Sequence, residues 1–231
     1  MDTRFWGPDG WLLLHSITEK YPDNPTSYIK DVYFTFFHSI EYILPCIYCR
    51  ESFSKYMKEL PIENYLKNKR TLCKWLYKIH NKVNDKLKSQ KLHNTPNPNF
   101  EEIFNRYRLY VVKKESDNRV PGFKFLYSII FNHASYLYKI SKERTDQIII
   151  FLNLLPIVLP FTLIKNVYFE FIIKNPIEKN LNTNSLKLWI FNLQIKYYTK
   201  INKTTICFNK TCNYINNYKA GCNNNTCRIF N

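Results

Sequence analysis

The sequence predicts an all-α protein: a small bundle of four or five helices, then a second, mainly helical region with a cysteine-rich tail. Three observations carry this expectation. Apolar residues recur at helical spacing through roughly the first ninety positions. Prolines rather than glycines punctuate those stretches, since the 231 residues include 11 Pro and only 4 Gly. With 45% apolar and 17% aromatic residues there is material for a core, which argues against a disordered chain.

The first helix carries Trp11, Leu12, Leu14, His15 and Thr18 at helical spacing, and Tyr21-Pro22 with Pro25 ends it. A second, over 28–43, aligns Val32, Phe36, Ser39, Ile40 and Ile43 and stops at Pro45. A third runs over 49–60 and is bounded by Pro61. The fourth, 71–88, sets Leu72, Trp75, Leu76, Ile79, Val83 and Leu87 on one face and Lys74, Lys78, Lys82 and Lys86 on another. The segment 93–99, HNTPNPN, marks a boundary, because its prolines among asparagines can continue neither a helix nor a central strand. The chain therefore divides into 1–95, 96–200 and 201–231.

The middle region opens with a polar helix over 100–114, a turn at Pro121-Gly122 and an aromatic helix over 124–141. The run 148–164, IIIFLNLLPIVLPFTLI, contains no charge and permits two readings, a membrane span flanked by Lys142, Arg144 and Lys165, or a buried core helix. In the second reading Pro156 and Pro160 break it into short pieces. No repeat of solenoid length is visible.

The formal charge of +16 suggests nucleic acid, yet 26 of the 34 basic residues are Lys, whereas base readout and phosphate clamping lean on Arg. Nucleic acid is not the expected partner. The 7 cysteines are more informative. Cys46 and Cys49 form a CxxC, Cys73 stands apart, and Cys207, Cys212, Cys222 and Cys227 crowd the end. The first ten residues hold no apolar leader stretch, so simple secretion is not the expected reason for them. The CxxC falls where one helix ends and the next begins, so orphan N–H groups and the helix dipole favour thiolate, with Arg50 adjacent. The pair reads as redox-active or as half of a zinc site. Trp11, His15, Trp75, His80, Asn81, Val83 and Asn84 supply flat rings and hydrogen-bonding groups that suit a planar heteroaromatic cofactor, while lysines suit a pyrophosphate. No GxGxxG is present, which excludes a Rossmann container.

WGPDGWLLLHSITEKYP, PCIYC and WLYKIHNKVNDKL, in this order, resemble the Erv/ALR family of FAD-dependent sulfhydryl oxidases, over about residues 4–92. The abundance of Lys, Asn, Ile, Tyr and Phe, which A+T-rich codons favour, resembles that of family members from giant DNA viruses and implies a virus-encoded protein, expected in the host cytoplasm or virion. The resemblance implies a helical bundle that holds FAD beside the CxxC, usually as a homodimer, oxidises protein thiols to disulfides and passes electrons to O2 to give H2O2. By position it implies Cys49 as the sulfur nearest the flavin and Cys46 as the one exchanging with substrate. Trp11, His15 and Tyr21 match the first cofactor-binding stretch, and Trp75, His80, Asn81, Val83, Asn84, Lys86 and Lys88 the second. The second disulfide of many members is absent, since its positions here are Tyr77 and Asn94. Cys73 is expected as a buried free thiol.

Cys207-x4-Cys212 and Cys222-x4-Cys227 could be a shuttle that carries electrons from substrate to the CxxC, as in some family members, structural disulfides, or four thiolates on zinc. The rival function is a basic nucleic-acid or membrane binding module organised by that zinc site. Any such role belongs to residues 101–231, which hold 19 basic and 8 acidic residues.

Overall fold

The computed structural model of the protein describes residues 1–117, 122–135, 141–204, 207–223 and 226–229. It is built from helices. α1 (Thr3–Glu19) starts earlier than its apolar periodicity, because Asp2 caps it, accepting the Arg4 N–H at 2.8 Å. α2 (Ser27–Ile43) is capped by Thr26 and ends at Leu44-Pro45. α3 (Ile47–Glu59) is followed by a 3-10 turn at Ile62–Tyr65. α4 (Lys69–Ser89) begins with a reciprocal capping box between Asn68 and Thr71. α5 (Phe100–Asp117) packs across α1 and α4.

The second half is helical, as the sequence implies. It comprises α6 (Phe123–Ser135), α7 (Lys142–Val158), α8 (Thr162–Lys174), a 3-10 turn at Ile177–Asn180, α9 (Thr183–Lys200) and α10 (Phe208–Asn216). Two short strands follow, β1 (Cys222–Asn223) and β2 (Thr226–Cys227), paired antiparallel with Cys222 opposite Cys227. α9 went unread in the sequence, although Leu186, Trp189, Ile190, Leu193 and Tyr197 are its buried stripe at helical spacing.

The apolar run 148–164 is not one helix. Pro160 lacks an N–H to continue the ladder, so α7 stops at Val158 and α8 starts at Thr162. Pro156, expected to break the segment, instead lies inside α7. Ile148, Phe151, Leu152, Leu155 and Val158 are at most 1% exposed and face the core. Among the described residues no helix is long and apolar enough to cross a membrane, which corrects the membrane-span reading of this segment.

The two halves share one core. α2 packs along α7 and α1 along α6, and Phe36, Phe37 and Ile40 meet Phe151, Leu152 and Leu155 in a single buried cluster. The chain ends return to α1. The Asp2 N–H donates to Tyr218 O at 2.8 Å, the Ile229 N–H donates to Asp2 Oδ2 at 3.0 Å, and Phe5 stacks on Tyr218 at 3.9 Å.

Candidate active site

Pro45 ends α2 and leaves Cys46 as the N-cap of α3, in extended conformation and with no side-chain cap. The Cys49 and Arg50 N–H groups donate to the Cys46 carbonyl at 3.2 and 3.1 Å, so the CxxC wraps the first turn of the helix. Both are free thiols. Cys46 is 1% exposed, while Cys49 is partly open and lies in the wall of a cavity. The hydrogen bond from the Cys49 thiol pulls Cys46 down to about 7, against the opposing effect of burial. Donating that bond, together with burial, holds Cys49 well above the usual thiol range. The pair thus shares one proton near neutrality. Lys86 favours the thiolate at either sulfur, and its ammonium is fixed over α3 by Ser52 Oγ at 2.7 Å and Tyr48 O at 3.3 Å. Arg50 reaches back to the Leu44 carbonyl at 2.7 Å, tying the end of α2 to the start of α3.

The cavity measures about 550 Å³, within the range of ligand-binding clefts. Trp11, Cys49, His80, Val83, Asn84 and Lys86 all line it, so residues from the two predicted stretches and the CxxC converge there. Trp11 lies parallel on His80 at 3.9 Å. His80 Nδ1 meets His15 Nε2 at 3.1 Å, and His15 in turn stacks on Tyr107 at 4.3 Å. Burial drives His15 well below the ordinary imidazole range and His80 down to about 4. Both rings are neutral at pH 7, one donating to the other.

Other predicted residues sit elsewhere. Tyr21 and Trp75 are fully buried, with the Tyr21 hydroxyl donating to Leu66 O and the Trp75 indole to Leu60 O, each at 2.9 Å. They brace the turn between α3 and α4. Asn81 is half-buried on α4, and Lys88 pairs with Asp85 at 3.4 Å. Asn84 donates to Asn97 Oδ1 at 3.0 Å, which docks the 93–99 connection against α4. Cys73 is buried and free, its thiol 3.8 Å from Glu19 Oε1, and burial raises it to about 12.

The sequence reading missed Tyr107, which reaches the cavity from α5, and Arg228, which reaches it from the tail. Tyr107 stands in a helix read as polar, and only the fold carries it onto His15. In the tail, Cys207 is exposed and Cys212 half-buried, both free, whereas Cys227 is buried in a disulfide. A disulfide sulfur is not a thiolate ligand, so Cys227 in this form is lost to a four-cysteine zinc site. No cluster of metal-ligating side chains forms among the described residues. β2 packs on α3, and the Met1 amine lies within electrostatic reach of Cys46 and Cys49, so the chain ends roof the CxxC.

The Erv1/Alr family profile matches residues 8–107. Over 85 residues the chain is 39% identical to a probable FAD-linked sulfhydryl oxidase of Acanthamoeba polyphaga mimivirus, covering 36% of this chain and 59% of that one. It is 34% identical over 90 residues to the mitochondrial FAD-linked sulfhydryl oxidase of Saccharomyces cerevisiae, covering 39% and 47%. A putative FAD-linked sulfhydryl oxidase of Invertebrate iridescent virus 3 is 28% identical over 109 residues, covering 47% and 70%. The chain thus spans about half to three fifths of the first two relatives. The matched stretch contains the CxxC, the Trp11–His80 and His15–Tyr107 ring pairs and nearly all of the helices that carry them, and it is over these residues that the chain is similar to the Erv1/Alr family.

Proposed function

We propose that the chain is an FAD-dependent thiol oxidase that makes disulfides in protein substrates. The observation that carries this reading is Cys49 of a CxxC lining a cavity of about 550 Å³ that is also walled by parallel aromatic rings. FAD fits the residues present. Trp11 and His80 offer ring faces, Asn84 offers an amide, and Lys86 offers a cation near the sulfurs. Tyr21 and Trp75 would support the pocket through the α3–α4 turn, while Asn81 and Lys88 share α4 with His80, Val83 and Asn84 but lie outside the cavity lining.

In the oxidised pair, a substrate thiolate attacks Cys46 Sγ; the Cys46–Cys49 bond breaks and Cys49 leaves as thiolate. A second substrate thiolate attacks the first substrate sulfur, and Cys46 leaves in turn. The substrate is then a disulfide, and the pair holds its two electrons with one proton shared between the sulfurs. Bound FAD supplies the oxidant that restores the pair, with O2 as final acceptor giving H2O2. Lys86 steadies the thiolate whichever sulfur bears it, and moving the proton to Cys46 leaves the charge on the sulfur in the cavity wall.

Because the chain ends roof Cys46, the tail disulfide of Cys227, opposite Cys222 in the strand register, is the shuttle we assign. Cys207 and Cys212 are free thiols on and beside α10 and are not needed for it. The test is direct. Purified protein should be yellow, bleach under dithiothreitol and recover in air. Cys49→Ala should abolish turnover and raise the Cys46 pKa, read by ultraviolet thiolate absorbance; colourless protein, or full turnover in that variant, refutes the reading. Replacing Cys222 and Cys227 together with Ser should slow oxidation of a protein dithiol and spare that of dithiothreitol.

A further inference from the structure

The two halves of the chain repeat one another. α2 and α7 each have 17 residues, beginning at 27 and at 142, an offset of 115. At the same offset α3 and α8 each have 13 residues, and the two 3-10 turns each have 4. The punctuation repeats as well. Leu44-Pro45 recurs as Leu159-Pro160, and Pro61-Ile62-Glu63 as Pro176-Ile177-Glu178. The C-caps Leu60 and Asn175 share φ of −133° with ψ of 71° and 69°. Asn68 and Asn182 cap α4 and α9 through the N–H three residues on. Even a buried side-chain bond is duplicated: Trp75 Nε1 donates to Leu60 O at 2.9 Å, and Trp189 Nε1 donates to Asn175 O at 2.8 Å.

The packing follows the same correspondence. α1 meets α4 as α6 meets α9, and α2 meets α3 as α7 meets α8. Between the halves, each helix of the shared face packs on its own counterpart, α2 on α7 and α1 on α6. Phe36 stacks on Phe151, its equivalent, with centroids 5.1 Å apart. At Gly10, a Cβ would come within 3.0 Å of the Phe125 ring, so α1 and α6 approach closely. Self-matched contacts of this kind are the mark of an isologous two-fold interface, in which one patch meets itself.

The second copy lacks the chemistry of the first. Phe161 and Ile164 stand where Cys46 and Cys49 stand. Ile40, Leu44, Cys49 and Phe53 line the large cavity; their counterparts Leu155, Leu159, Ile164 and Tyr168 surround a space of only about 10 Å³. Tyr197, where the first copy has Val83, is 1% exposed.

We propose that α6–α9 are a second, degenerate copy of α1–α4 that takes the place of a second subunit, so that one chain, with one CxxC and one large cavity among the described residues, is the working unit. The homodimer implied by the family resemblance is thereby built inside the chain: the α2 face is already covered by α7. The count of one active site rests on the oxidase reading; the occupied two-fold face does not. Sedimentation equilibrium of the full chain should give 28.0 kDa over a wide range of concentration. A species of twice that mass overturns the proposal, whether or not the protein carries flavin. Turnover per wild-type chain should be unchanged when wild-type and Cys49→Ala chains are mixed, and cross-inhibition or rescue between chains counts against it. Colourless, inactive protein that sediments as a single chain would sink the oxidase reading and leave the internal copy standing.

Discussion

Cys46 and Cys49 differ in environment although both belong to the same turn of helix. Cys46, at 1% exposure under the chain ends, is drawn down to about 7 by the Cys49 thiol, while Cys49 opens to the cavity and holds the proton. Sequence spacing identified the pair and its helix start, but it could not say which sulfur faced the cavity, since burial is set by how distant parts of the chain pack around α3. The His15–His80 pair makes a separate prediction. Burial depresses both imidazoles, His80 to about 4, from an unfolded value near 6.5. As pH falls through that interval the unfolded chain takes up protons that the folded one refuses, so the stability present above pH ~6.5 is progressively lost. His80 lowers His15 and His93 lowers His80 further, and although Glu19 lies near His15 across a small space, no carboxylate is among the groups that shift either ring. Chemical denaturation across this range should show the loss, and His80→Gln should flatten the dependence; an unchanged slope refutes the assignment.

Helix boundaries were legible wherever proline or a capping side chain wrote them locally. The expected 28–43, 49–60 and 71–88 segments became Ser27–Ile43, Ile47–Glu59 and Lys69–Ser89, because Thr26, Pro45, Pro61 and Asn68 act on adjacent backbone. The 148–164 run left a membrane span and a buried core helix open for a physical reason, and the structure bears out the buried reading. A helix buried on several sides and a membrane helix are alike in composition, and only packing against α2 distinguishes them. At this scale the duplicated caps can be tested. Asn68→Ala and Asn182→Ala should each cost about 1 kcal/mol in denaturant unfolding, the typical worth of an N-cap. A cost confined to Asn68 would mean that α9 is not capped as α4 is.

At the scale of the molecule, the segment 93–99 marks a boundary in the sequence, and the residues on either side of it form one core, with α2 on α7 and α1 on α6. Phe151→Ala should therefore cost about 3–5 kcal/mol and lower the stability of both halves together. Indole fluorescence and far-ultraviolet dichroism should report a single shared transition; separate transitions would show that the halves unfold independently. The signal for duplication was present in Leu44-Pro45 with Leu159-Pro160, and in the two Pro-Ile-Glu triplets. Most of the positions between them have diverged, since a helical core keeps volume and periodicity rather than residue identity. By itself the sequence determined the helical class, the CxxC at a helix start, and the rings and amides of two stretches, because these depend on neighbours within a few residues. Only the tertiary structure decided that Tyr107 stacks on His15, that the chain ends roof Cys46, and that the second half covers the face of the first. Those facts depend on contacts between residues far apart in the chain, which local spacing does not encode.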